Sequence, residues 1–290
     1  MIQDSQQQAY DRAITIFSPD GRLYQVEYAR EAVKRGTASV GVRAEDGVVL
    51  GAYKRVPNEL MEAENVEKIF QIDEHIGAAS AGHVTDARKL IDILRREAQV
   101  NRASYQEPIG VETIVRRLCD EMQKYTQQGG VRPFGVSVIV GGIENGEPRV
   151  FETDPSGSFY EWRATAIGEG SAEIREKFEQ EYDDDISIDD GVALAYNAVK
   201  ETNEDVTPES FEVAVVEKET EEFRSRQCRR GSGVRRVSSA SGFLRPARIP
   251  LYDDITRRGS NGALRVARTA FRGSDRPRRG TRNQTRRVRR

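Results

Sequence analysis

Cysteine is scarce in this 290-residue chain, with only Cys119 and Cys228 present. Cys119 falls in a helical pattern and Cys228 in an irregular stretch. Neither a disulfide framework nor a metal site is expected, and a reducing cytoplasm suits such a chain best. Histidine is equally rare: His75 and His83 are too few and too close for a convincing nucleophile–base–acid triad. A Gly-rich phosphate loop is missing, which argues against ATP hydrolysis, and no cofactor is expected. No run of about 18 apolar residues occurs, so no membrane span is expected. The leading MIQDSQQQAYDR lacks a basic stretch followed by an apolar one, which argues against a secretory signal.

Lysine is absent from residue 224 onward, and that absence marks the main compositional feature. Residues 224–290 hold 21 Arg, no Lys and three Asp (Asp253, Asp254, Asp275), a charge of +18. Residues 1–223 hold 24 basic and 44 acidic residues, a charge of −20. The formal net charge of -2 averages two segments of opposite character.

Periodicity divides the first 223 residues into elements. Ser18-Pro19-Asp20-Gly21 is a turn signal, and a helix is expected over about 21–35, closed by Gly36, with Leu23, Val26, Tyr28 and Val33 as its apolar positions. Two β-like runs, 37–44 and 47–56, flank Asp46-Gly47 as a hairpin. Runs 68–73 and 75–82 follow, the second rich in Gly and Ala, which suggests close backbone approach. Helices are expected over 84–102 (Val84, Ala87, Leu90, Ile91, Leu94, Ala98) and 110–127 (Val111, Ile114, Val115, Leu118, Met122, Tyr125), the second ended by Gly129-Gly130. Strands resume at 134–143, 149–154, 158–163 and 164–168. Helices at 171–182 and 188–203 and a strand at 211–217 complete the pattern. Grouped strands between helix pairs point to two stacked sheets covered by helices rather than a doubly wound parallel sheet. Both faces of each sheet would then be buried, which explains the unbroken apolar run VSVIV. Past residue 224 the periodicity stops, and the segment is expected to be disordered.

The stretch YDRAITIFSPDGRLYQVEYAREAVKRG (10–36) resembles the N-terminus of proteasome α-subunits, archaeal ones especially. VEKIFQID (66–73), ASAGHVTDARKLID (79–92) and YTQQGGVRPFGVS (125–137) fit the same family, and the resemblance covers about residues 1–220. It implies an α+β fold, a four-layer αββα sandwich of the N-terminal-nucleophile hydrolase type with an N-terminal helix on the ring surface. Three parts follow: a gate segment and helix (1–35), the sandwich (36–223) and an Arg-rich tail (224–290). It further implies a homo- or hetero-heptameric α-ring stacked on β-subunits, docking of a regulatory AAA ATPase, and unfolded protein as substrate. The gate residues would be Tyr10, Asp11, Arg12, Pro19 and Tyr28. Lys68 would meet the ATPase's C-terminal carboxylate in a pocket walled by Gly82, where a side chain would block the peptide. Gly129, Gly130 and Val131 match the loop near the pore constriction. Arg132-Pro133-Phe134-Gly135 has either a structural role at a tight turn or contact with moving substrate.

Catalytic relatives use an N-terminal threonine whose free amine is the base for its own hydroxyl. Thr37 occupies about that place behind 36 residues, Tyr53 falls near the acidic partner, and Lys68 near the lysine. A gating subunit without peptidase activity is therefore expected. The alternative is an active threonine peptidase of the same fold.

A body at −20 resembles proteins from salt-loving archaea. Screening shortens to about 3 Å at 1 M salt, where dense surface acid repels little. The ring is expected to dissociate or lose order in dilute buffer, and an unchanged particle mass from molar to dilute salt would rule this out. The tail fits three readings: nucleic-acid binding by Arg clusters, binding of an acidic protein such as the chain's own body, or out-of-frame translation of a GC-rich gene. The last accounts together for Arg without Lys, the abrupt switch after Phe223 and the lost periodicity; resequencing around codon 224 decides it.

Overall fold

A computed structural model describes residues 15–227, apart from 57, 59, 63 and 64, together with 235 and 236. Its helices are α1 (Tyr24–Lys34), α2 (Val84–Tyr105), α3 (Val111–Gln127), α4 (Ser171–Glu181) and α5 (Ile188–Thr202). One sheet has the order β3 (Ile69–Asp73), β4 (Ile76–Gly82), β5 (Val136–Glu144), β6 (Glu147–Thr153), β7 (Phe159–Glu161). The other has the order β11 (Arg235–Arg236), β10 (Glu222–Gln227), β9 (Phe211–Glu217), β2 (Gly47–Tyr53), β1 (Ser39–Ala44), β8 (Ala164–Ile167). Every neighbouring pair of strands is antiparallel.

The period-2 geometry of strands builds three apolar layers from this arrangement. Val48, Leu50 and Ala52 of β2 meet Ile139 and Ile143 of β5 between the sheets. The alternate residues of β2, Val49 and Tyr53, face Val192, Ala195 and Val199 of α5. Val136, Val138 and Val140 of β5 face Leu90, Leu94, Ile114, Leu118 and Met122 of α2 and α3. Helices therefore cover the outer face of each sheet, in the expected αββα order. Close stacking also needs a missing side chain: a Cβ on Gly41 would lie 2.7 Å from Ile139 Cγ2.

Local chemistry sets the element ends. The Ser187 hydroxyl caps α5 by accepting the Asp190 N–H at 3.2 Å. Gln106 ends α2 in the left-handed region at φ 59°. Asn145 and Gly146, at φ 55° and 76°, turn β5 into β6 as a tight hairpin. α1 starts at Tyr24 rather than 21, because Ser18 to Arg22 are held in a separate turn. Val84, read as a core position, stands exposed at the start of α2.

The largest departure lies at the C-terminal end of the sandwich. β10 crosses the boundary expected at 223/224 and pairs along its whole length with β9, from Glu222 opposite Glu217 to Gln227 opposite Glu212. Arg226 is buried and donates to Asp189 at 2.7 Å and Glu217 at 3.2 Å. Composition changes at 224, but a strand needs only alternation and partners, and Phe223, Ser225 and Gln227 alternate there with three charged residues. Apart from 235 and 236, the rest of the tail, with Cys228, lies outside the described residues.

Candidate functional site

α1 lies across the ends of β4 and β5, and its chemistry explains why. Val26, Ala29 and Val33 form its buried stripe, with Glu27 in the first turn and Lys34 in the last, as the helix dipole favours. Ahead of it, Ser18 closes the Pro19 turn. Its carbonyl accepts the Gly21 N–H at 2.8 Å, its hydroxyl accepts the Arg22 N–H at 3.0 Å, and its own N–H donates to Arg22 O at 2.9 Å. Gly21 supplies the φ of +74° that the turn requires. Arg30 ties the helix to the end of β6: Nε and Nη2 donate to both oxygens of Asp154, at 2.9 and 3.0 Å. Burial works against the ionised Asp154, but Arg30 and Ser156 outweigh it and hold the carboxyl below its usual range. Arg30 and Asp154 are 124 residues apart, and no local pattern links them.

Beside α1 runs an open groove of about 650 Å³, lined by Tyr28, Glu31, Ala32, Arg35, Gly36, Gly82 and His83. The structure thus places Tyr28 and Gly82 on one surface. Gly82 sits at φ +118°, and a Cβ there would lie 2.3 Å from Gly135 O. Backbone approach demands this glycine, whatever else passes along the groove.

Lys68 is not on the groove's surface. Its half-buried side chain turns inward, and Nζ donates to Thr37 O at 2.5 Å and Thr37 Oγ1 at 2.6 Å. Burial pushes the ammonium down to about 7, and Glu212 on β9 pulls the other way without cancelling the shift. Thr37 is joined through its nitrogen to Gly36, whose carbonyl accepts the Glu169 N–H at 2.7 Å. Tyr53 is buried among the residues facing α5, with the Arg55 guanidinium 5.7 Å from its ring centre. Tyr10, Asp11 and Arg12 lie outside the described residues.

Gly129 and Gly130 are exposed, with nothing within 4 Å of a Cβ at either position. Val131 is half-buried. The following four residues are an anchor. Arg132 donates to both oxygens of Asp86, at 2.6 and 2.8 Å, and the Gly135 N–H donates to Asp86 Oδ2 at 2.9 Å. Phe134 packs on Tyr125 with ring centres 4.5 Å apart. This favours the structural role for 132–135. Asp86 carries it unforeseen; its only sequence cue is an acidic residue in the first turn of α2. Burial opposes its charge, yet Arg132 and the Gly135 N–H hold its carboxyl below the usual range. Asp86→Ala is expected to lose about 1–3 kcal/mol, the range for a charged hydrogen bond removed with a partner left unsatisfied. Amide exchange over 131–136 should rise, and unchanged exchange there would show that the loop does not depend on Asp86.

Remaining singular residues have structural explanations. Cys119 is buried in α3, where burial raises its thiol to about 12. His75 is buried, with Nε2 donating to Ile109 O at 2.8 Å. Among the described residues there is no group of three or more His, Cys, Asp or Glu that could hold a metal ion, and no helix long and apolar enough to cross a membrane.

An αββα sandwich that sets a threonine hydroxyl against a lysine ammonium just ahead of its first strand is of the N-terminal-nucleophile hydrolase type. Within that class, residues 33–216 match the proteasome subunit family, and residues 10–32 match the N-terminal signature of A-type proteasome subunits. The chain belongs to the proteasome subunit family, on its alpha side. It is 61% identical over 220 residues to the alpha 1 proteasome subunit of Haloarcula marismortui, covering 76% of this chain and 85% of that protein. The alpha 1 proteasome subunit of Haloferax volcanii is 59% identical over 220 residues, covering 76% and 87%. The alpha proteasome subunit of Methanothermobacter thermautotrophicus is 54% identical over 224 residues, covering 77% and 90%.

Proposed function

We propose that this chain is a non-catalytic subunit of the α-ring in a cytoplasmic proteasome core particle, forming the gated pore through which unfolded proteins reach the β-subunits. The observation that carries the reading is the state of Thr37. Its nitrogen is locked in a peptide bond, and the residues ahead of it include α1, which is anchored to Asp154 rather than hanging free as a removable leader. Without a free amine the hydroxyl lacks its base. Tyr10, Asp11 and Arg12 act at the gate, the Pro19 turn moves with them, and Tyr28 is the partner on α1. The C-terminal carboxylate of a regulatory AAA ATPase docks beside α1 and reaches Lys68, with Gly82 in the wall. Gly129, Gly130 and Val131 stand at the constriction, where the exposed, small glycines suit a passing polypeptide.

The second reading, an active threonine peptidase, is favoured by one feature, the Lys68–Thr37 contact at 2.6 Å. Against it, Tyr53 offers no carboxylate. Projection images and fluorogenic-peptide assays separate the two. Gating predicts seven-fold rings and turnover only with β-subunit present. Turnover by the isolated chain, with molecules beginning at position 37, reverses the ranking.

A further inference from the structure

We propose that Thr37 is a positioning residue for Lys68: its carbonyl and hydroxyl hold the ammonium beside the Gly36–Gly82 contact and leave one N–H for the carboxylate of a docking protein's C-terminus. The inference rests on the docking function proposed above and assigns a use to a residue which that function leaves idle.

A lysine ammonium has three N–H donors. Two are taken by Thr37 O and Oγ1 at 2.5 and 2.6 Å, and the third has no partner among the described residues. One remaining donor suits a single carboxylate oxygen. The ammonium is fixed close to the groove by short links. Thr37 follows Gly36, a groove residue. Lys68 O accepts the Ser80 N–H at 3.1 Å, two residues before Gly82. A Cβ on Gly36 would lie 2.4 Å from Gly82 N, so the two glycine backbones touch where both line the groove. Charge favours the same occupant. Lys68 is desolvated, and Glu212, the carboxylate acting on it, also lies 3.8 Å from Lys54. An incoming carboxylate adds the counter-charge that Glu212, shared with Lys54, supplies only in part. Threonine suits the holding task because its β-branch restricts χ1, so the hydroxyl keeps its aim.

The test uses assembled rings of the full chain and two forms of a ten-residue peptide from the C-terminus of the cognate ATPase, one a free acid and one an amide. Fluorescence anisotropy gives Kd for each. Wild-type rings should prefer the acid, and Lys68→Met should erase the preference. Thr37→Val should reduce it about tenfold, the worth of one hydrogen bond to a charged group, while leaving the amide's Kd unchanged. Thr37→Ser, which keeps the hydroxyl, should restore it. If Thr37→Val does not assemble, Thr37→Ala against Thr37→Ser makes the same comparison. Full acid preference in Thr37→Val or Thr37→Ala, with loss in Lys68→Met, overturns the role of Thr37 alone. Full preference in Lys68→Met overturns docking at Lys68 itself.

Discussion

Gly82→Ala is expected to lower the thermal midpoint by about 10 °C and to loosen the seat of α1. Two effects add. A backbone held at φ +118° is hostile to any side chain, at roughly 1–3 kcal/mol. The new Cβ would also meet Gly135 O at 2.3 Å and Val136 Cα at 3.0 Å, both backbone atoms at the start of a paired strand, and overpacking of this kind costs a further 1–3 kcal/mol or so. For a domain of about 200 residues each kcal/mol moves the midpoint by about 2–4 °C. The damage should spread, because Gly36, His83 and Gly135 share the junction and the His83 N–H donates to Gly135 O at 2.9 Å. Gly129→Ala is the control. Nothing lies within 4 Å of its Cβ, and a surface change of that kind stays within about 0.5 kcal/mol. Equal midpoints for the two variants, by calorimetry or circular dichroism in molar salt, would refute the backbone explanation. Gly82 would then be a glycine only for what passes through the groove.

Gly82 also illustrates how far the sequence can be read. The Gly- and Ala-rich run at 75–82 announces close backbone approach, and the structure supplies the neighbours: Phe223 and Leu50 over Gly77, Gly135 over Gly82. Phe223 and Gly135 are out of reach of any local pattern, because each lies more than 50 residues further along the chain. Arg30–Asp154 and Asp86–Arg132 escape for the same reason. Periodicity reports which face of an element is buried, and it carries no record of which distant element buries it. Lys68 and Thr37 each stand out in the sequence, yet their mutual contact does not. The pairing depends on the side chain turning inward from the residue just before β3 toward Thr37, two residues ahead of β1, and strand order decides that.

The end of the folded body gives the second large effect. A chain stopped after Glu221 is expected to aggregate, or to melt at least about 10 °C below a chain stopped after Gln227. Losing β10 removes Phe223, which packs on the layer between the sheets, and truncating a well-buried Phe costs about 3–5 kcal/mol. Phe223 is half-buried, so the low end applies to it. Glu217 also loses two guanidinium partners, Arg224 at 3.4 Å and Arg226 at 3.2 Å. Further, β9 becomes the sheet edge, and its FEVAVVE sequence would present unpaired backbone along an apolar strand, a template for association with other chains. The chain ending at 227 keeps β9 and β10 and, among the described residues, loses only the two-residue β11, so its midpoint should match that of the full chain. The distinction bears on the arginine-rich segment. A cut at 223, where composition changes, runs through β10 and would confound any loss of RNA retention with damage to the sheet. A cut after 227 removes 19 of the 21 arginines of residues 224–290 and leaves the pairing of β9 with β10 intact, so a loss of retention there belongs to the arginines themselves. If the 221 and 227 chains melt together, β10 adds nothing to the fold, and the change of composition at 224 marks the end of the folded body after all.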